Sequence, residues 1–181
     1  MSSMPPKMNW RKVTILNPEH LLEQSERLIQ RGVAGAPRQV DLRRAVSSAY
    51  YSVFHATMTA AADNLMGRTR RSSPQYALAY RSIDHKSLRD ICEEIRRPTL
   101  RDRYKPYEPA GGFGNDVRAF AQYLLGLQQK RHAADYDPAI RFATSEARAS
   151  VSAARGALIH LQNASDMQRT AFLSLLVFPP R

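Results

Sequence analysis

Apolar residues recur along this chain at helical spacing, and nowhere do they alternate with polar ones as a half-buried strand requires. Asn17-Pro18 sets a capping side chain before a proline at the first helical position. The stripe Leu21, Leu22, Leu28 and Ile29 then predicts a helix to about Gly32. A second, central helix is expected from about Pro37 to Met66, with Gly67 as its stop. On it Val46, Tyr50, Val53 and Thr57 share an apolar face, while Arg44, Ser48, Tyr51 and His55 form a polar stripe nearly opposite. Residues 74–97 read as a helical hairpin or a broken helix, with Tyr76, Leu78, Ile83, Leu88, Ile91 and Ile95 as apolar surface and Pro98 closing it. A further helix begins near Asn115 and ends by Tyr136 or Asp137, ahead of Pro138. The last starts around Thr144, carries Val151, Ala154, Leu158 and Leu161 on one stripe, and is followed by an apolar segment from Ala171.

These elements predict an all-α fold, an antiparallel helical bundle of four to six helices. Residues 1–16 read as a tail that can dock through Trp10, Val13 and Ile15, residues 17–165 as the helical domain, and residues 166–181 as a C-terminal helical extension. The lone Cys92 allows no intrachain disulfide, and the chain does not open on a basic segment followed by an apolar stretch, so a cytoplasmic setting is expected. The apolar run Ala171 to Phe178 falls far short of the roughly 20 residues that a membrane helix needs.

Charge narrows the field further. The chain carries a net charge of +11 and a pI of about 10.3, which favours a polyanionic partner. The excess is uneven: Arg68 to Lys105 holds eleven Lys and Arg against five Asp and Glu. Either a basic binding surface or a solvated charged face accounts for it. Between Pro98 and Asn115 prolines and glycines stand beside Arg101, Arg103, Tyr104, Lys105 and Tyr107. Such a mix of cations and aromatic faces suits single-stranded nucleic acid, and equally a mobile linker.

One feature of the helix after Asn115 departs from plain patterning. Its core stripe Phe120, Leu124, Leu127 continues at the same spacing to Arg131 and then Asp135, so two charged residues extend an apolar face. They pair with each other at i, i+4, or they line a polar groove where the bundle opens. His132 and Tyr136 form the adjacent column. An ordinary helix end, with cations near the C-terminal dipole and a turn at Asp137-Pro138, explains the same residues without a site.

The segment Leu42-Arg43-Arg44-Ala45-Val46-Ser47-Ser48-Ala49-Tyr50-Tyr51-Ser52-Val53-Phe54-His55 resembles the second-helix signature of the HEPN superfamily (higher eukaryote and prokaryote nucleotide-binding domains). Arg131-His132-Ala133-Ala134-Asp135-Tyr136-Asp137 is similar to the Arg-x-x-Ala-Asp-Tyr element of one prokaryotic branch. Together the two cover the chain from about residue 17 to 165. The resemblance implies a HEPN-like helical bundle that dimerises with its polar motif in a cleft between two copies. It also implies metal-independent RNase relatives in toxin–antitoxin and defence systems, often paired with a nucleotidyltransferase antitoxin. The family hallmark, an arginine followed four to six residues later by histidine, is absent at the expected place: His132 directly follows Arg131, and Asp135 stands about where that histidine would be. Arg155 to His160 matches the spacing formally, but in a chain with 22 arginines and five histidines such a match arises by chance, and a five-residue helical step points the two side chains apart.

RNA cleavage of this kind needs a base for the ribose hydroxyl, a cation for the phosphate and an acid for the leaving oxygen. Candidate catalytic residues are Arg131 for the phosphate, His132 as the group that titrates near neutrality, Asp135 as an orienting carboxylate and Tyr136 as a hydrogen-bond donor. Arg44, Ser48, Tyr51, His55, Arg101, Arg103 and Lys105 are candidate binding residues, with Arg44 read alternatively as a structural partner of Asp135 and His55 as a packed core histidine. No zinc spacing, phosphate-loop glycine motif or nucleophile elbow occurs, and no metal or cofactor is expected. The expected function is binding or cleavage of RNA or a nucleotide by a homodimeric domain. The alternative is a non-catalytic partner-binding or scaffold subunit in which Arg131 and Asp135 form a structural ion pair.

Overall fold

The computed structural model describes residues 16–30 and 35–180; the docking read for Trp10, Val13 and Ile15 lies outside them. The described residues form seven α-helices and no strand: α1 (Pro18–Ile29), α2 (Gln39–Met66), α3 (Pro74–Arg81), α4 (His85–Ile95), α5 (Gly114–Tyr136), α6 (Thr144–Asn163) and α7 (Asp166–Val177). This is one more than the four to six helices expected: residues 74–97, read as a hairpin or a broken helix, form two helices, and the C-terminal extension forms a third of its own. Asp84 accepts from the Ser87 amide at 2.6 Å and starts α4 directly after α3, while Ser165 accepts from the Gln168 amide at 3.3 Å and starts α7 after α6.

The other starts follow the same logic. Asn17 accepts from the Glu19 amide at 3.1 Å with Pro18 behind it, and Ser73 accepts from the Tyr76 amide at 3.2 Å with Pro74 behind it. Before α6 the Ala143 amide donates to the Glu146 carboxylate at 2.7 Å. α2 stops at Gly67, whose φ of 83° is a conformation that side chains disfavour.

α2 is the axis of the bundle and packs against α1, α3, α5, α6 and α7. Val46, Tyr50, Val53 and Thr57 are fully buried, as their spacing requires. Burial extends around the helix, however, to Ala45, Ser47, Ser48, Ala49 and Ser52, so most of its circumference is covered. Small residues permit that close approach, and two of the buried hydroxyls are satisfied locally: Ser52 donates to the Ala49 carbonyl and Thr57 to the Val53 carbonyl, both at 2.8 Å. From α1, Ser25 donates to the Ala45 carbonyl at 2.5 Å and ties the two helices at their crossing.

α7 joins the same apolar core as α2, α5 and α6 through Phe172, Leu173, Leu175 and Leu176. Its Phe172 ring meets Phe120 of α5 edge to face at 5.3 Å. No helix among the described residues is long and apolar enough to cross a membrane.

The segment between α4 and α5 is held in place. Tyr104 and Phe113 are buried in the core. The Glu94 carboxylate, 1 % exposed, accepts from the Arg101 backbone amide at 2.6 Å and from Arg101 Nε at 2.5 Å. Ordering here comes from one buried acid and two aromatic anchors, none of which local turn propensity reveals.

Candidate functional site

The apolar stripe of α5 ends as its spacing demands: Phe120 and Leu124 are fully buried, Leu127 nearly so, and Arg131 and Asp135 follow on the same face. The two pair, with Arg131 Nε 2.8 Å from Asp135 Oδ2, and their side chains are 14 % and 25 % exposed. The contact is ionic without being an aligned hydrogen bond, since the Nε proton finds no acceptor along its axis. Arg131 Nη2 donates to the Tyr51 hydroxyl at 2.5 Å, and Ser47 donates to the other carboxylate oxygen of Asp135.

Three tyrosine rings surround the guanidinium, with Arg131 Cζ 5.2 Å from the Tyr51 centroid, 5.5 Å from Tyr136 and 5.9 Å from Tyr50. Burial works against the arginine charge, yet the Tyr51 hydroxyl and the Asp135 carboxylate more than offset it, so the Arg131 pKa lies above the ordinary arginine value.

The chain after α5 is pinned back onto the start of α2. Arg43 donates to the Asp137 carbonyl at 2.9 Å and the Ile140 carbonyl at 2.8 Å. Gln39 exchanges two hydrogen bonds with the Phe142 backbone, each 2.9 Å. Between this segment, the start of α2 and the end of α5 lies a groove of about 730 Å³, whose walls include Arg44, Tyr51, Arg131, Asp135, Tyr136 and Arg141. Its arginines, Arg43, Arg44, Arg131 and Arg141, face a single carboxylate, Asp135. Arg44 and Arg141 are exposed and have no ion-pair partner among the described residues.

The predicted site residues separate here. Arg131, Asp135, Tyr136, Arg44 and Tyr51 line the groove together. Asp135 takes Arg131 and Ser47 as partners; Arg44 is not one, because it stands exposed on the groove wall. His132 turns away from the groove: its ring packs 5.0 Å from Tyr136 and borders a different recess with Gln129, Asp137 and Pro138. Ser48 is buried, 4 % exposed, because α2 is covered on more sides than an amphipathic pattern implies. His55 reaches the Tyr80 hydroxyl through Nδ1 at 2.7 Å, and burial, together with nearby His85, lowers its pKa.

None of the basic-loop cations lines this groove, and each has a contact in or beside its own loop. Arg101 is bound to Glu94, Lys105 to Asp102 at 2.7 Å, and Arg103 lies over the Tyr104 ring at 5.0 Å. Arg155 and His160 diverge as their spacing requires, Arg155 toward Glu26 and Glu19 of α1, His160 toward Asp116 of α5.

Two contributors escape the sequence reading. Ser47 lies one residue from the polar stripe read on α2, at the four-residue spacing Arg43, Ser47, Tyr51 that faces the groove. His85 opens α4 behind the arginine cage, where its Nδ1 shares a 2.8 Å hydrogen bond with the Tyr50 hydroxyl and its ring lies 4.0 Å from Phe54. Gln128 of α5 donates to the His85 carbonyl at 2.9 Å. Burial and, secondarily, Arg131 lower the His85 pKa, while burial raises that of Tyr50. The only sequence signal for His85 is its place after the capping Asp84.

This arrangement suits anion binding better than proton transfer. Among the described residues, the groove walls hold paired and unpaired arginines beside the exposed Tyr136 ring but no imidazole, and their one carboxylate is occupied by Arg131 and Ser47. Compared with models of protein families, with curated proteins and with solved structures, the chain matches none.

Proposed function

We propose that the chain is a HEPN-like domain that binds RNA or a nucleotide through its phosphates in the groove between α2 and the end of α5, within a toxin–antitoxin or defence module. The observation that carries the reading is the arginine excess of that groove: Arg44 and Arg141 are exposed on its rim with no ion-pair partner among the described residues, while Arg131 is fixed by Asp135 and Tyr51. Arginine forks match phosphate oxygens two at a time, and the exposed Tyr136 ring offers a face for a base. A pinned wall lowers the ordering cost of binding. With no imidazole on the walls, the groove reads as a binding site rather than a cleavage site on its own. A second copy of the chain and a nucleotidyltransferase antitoxin are the partners that the family resemblance adds to this reading.

A second reading, a non-catalytic scaffold subunit, draws on the same ion pair, since Arg131 and Asp135 also brace α2 against α5 through Tyr51 and Ser47. Fluorescence anisotropy with a labelled single-stranded RNA separates the two, comparing wild type with the Arg44→Ala, Arg141→Ala double variant and checking the RNA for cleavage in EDTA. The proposal expects binding by the wild type, weakening of about ten-fold or more in the variant, and intact RNA. A wild type that leaves the RNA unbound refutes it in favour of the scaffold.

A further inference from the structure

A second recess, about 360 Å³, lies between α5 and α6, and none of its lining residues belongs to the groove described above. Gln122, Tyr123, Gly126, Lys130, Ala153 and His160 line it. Tyr123 is 39 % exposed, whereas its neighbours Phe120 and Leu124 on the same helix are fully buried. A tyrosine that merely filled the space between two helices would be covered as they are. Instead its ring lies across Gly156, where an added Cβ would come within 3.2 Å of Tyr123 Cζ. The absence of a side chain at 156 seats the ring, which keeps 39 % of the residue exposed.

His160 stacks against that ring, with centroids 5.8 Å apart and planes inclined by 24°. Its Nδ1 is 2.7 Å from Asp116 Oδ1. A carboxylate oxygen accepts here, so Nδ1 donates to it and Nε2 is the ring nitrogen left to meet another partner. Pairing with the imidazole also commits one oxygen of the nearest carboxylate. Lys130 follows Tyr123 by two helical turns, about 10 Å along the same face, and has no ion-pair partner among the described residues. Gln122 adds an exposed amide at the edge.

We infer that this recess is a second binding site, for one nucleotide unit of a single strand, its base stacked on Tyr123, a base or ribose group hydrogen-bonded to His160 Nε2, and its phosphate beside Lys130. An exposed aromatic ring is tolerant of base identity, while the imidazole and the ammonium fix orientation. The polymer's identity rests on the RNA reading of the α2–α5 groove, whereas the site itself rests on Tyr123, His160 and Lys130. A strand held at both places meets two cationic, aromatic surfaces on one rigid helix, α5, which contributes Tyr123 and Lys130 to one site and Arg131 and Tyr136 to the other.

The test combines amide chemical-shift mapping of the full chain with AMP and anisotropy with a short fluorescein-labelled oligoadenylate. The variants are Tyr123→Leu, Tyr123→Phe and Lys130→Ala, each checked by thermal unfolding. The expected result is AMP-dependent shifts at Gly126 and Lys130, about ten-fold weaker oligoadenylate binding by Tyr123→Leu, and near wild-type binding by Tyr123→Phe. Undiminished binding by both Tyr123→Leu and Lys130→Ala, with loss only in the Arg44 and Arg141 variants, overturns this second site and leaves the groove reading intact. Shifts confined to the α5–α6 recess, with full affinity in the Arg44 and Arg141 variants, support the second site and overturn the groove. A wild type that binds neither probe overturns both.

Discussion

Neutralising Asp135 is the sharpest perturbation available at the groove. In Asp135→Asn the side-chain shape is kept, but the half-buried Arg131 guanidinium loses its countercharge 2.8 Å away. At an effective dielectric of 20 the gross attraction across that distance is about 6 kcal/mol. Most of it is offset by the cost of holding both groups out of water, and the poor alignment of the Nε proton removes hydrogen-bond strength from the pair. Breaking a fully buried pair costs ~3–5 kcal/mol. With side chains 14 % and 25 % exposed, the expected loss is smaller, about 2 kcal/mol. At a urea slope of roughly 2 kcal/mol per molar, the unfolding midpoint should fall by about 1 M. A double-mutant cycle with Arg131→Met and Asp135→Leu isolates the pair from the tyrosine cage, and its coupling should fall between about 1 and 3 kcal/mol. The double variant should recover much of the single-variant loss, because two apolar residues leave no orphaned charge. Additive single effects would refute the argument that these residues act as a unit.

Acidification should weaken the fold already in the range where histidines titrate. Burial lowers the pKa of both His55 and His85, so the unfolded chain binds more protons than the folded one as pH falls below about 6.5. Their contribution is full above that value and is lost as pH falls through the folded pKa values; urea unfolding between pH 7.5 and 5 should show it, and a His85→Asn variant should flatten the profile, whereas an unchanged slope would contradict the placement of His85. In the loop, Glu94→Ala should cost about 2–3 kcal/mol and speed hydrogen exchange at the Arg101 amide, since both partners of the buried carboxylate are freed at once. Slow exchange at that amide in the variant would show that the loop is ordered by other contacts.

Helical spacing made the all-α class legible, together with the buried stripe of α5 and the anomaly of Arg131 and Asp135 on it, because a period of 3.6 is a local property of the sequence. Of the partners of that pair, Tyr51 already stood on the polar stripe read on α2, whereas Ser47 lies one residue off it and meets the pair only because α2 crosses α5 at a particular rotation. His132 illustrates the reverse: adjacency in sequence turns a side chain by 100°, which was enough to carry it off the groove. His85 left no pattern to follow, since its role depends on where the start of α4 docks against Tyr50 and Gln128, contacts that span tens of residues. The loop from Pro98 to Asn115 carries turn-forming residues throughout, yet tertiary anchors at Glu94, Tyr104 and Phe113 decide its order.

The central claim, that the α2–α5 groove takes phosphates, is tested most directly by the salt dependence of RNA binding. Each phosphate neutralised on a single strand contributes about 0.7 to the slope of log affinity against log salt. The Arg44→Ala, Arg141→Ala double variant removes the two free arginines of the groove and should therefore reduce the slope by roughly 1.4, along with a loss of affinity. A slope and an affinity equal to those of the wild type would contradict the account.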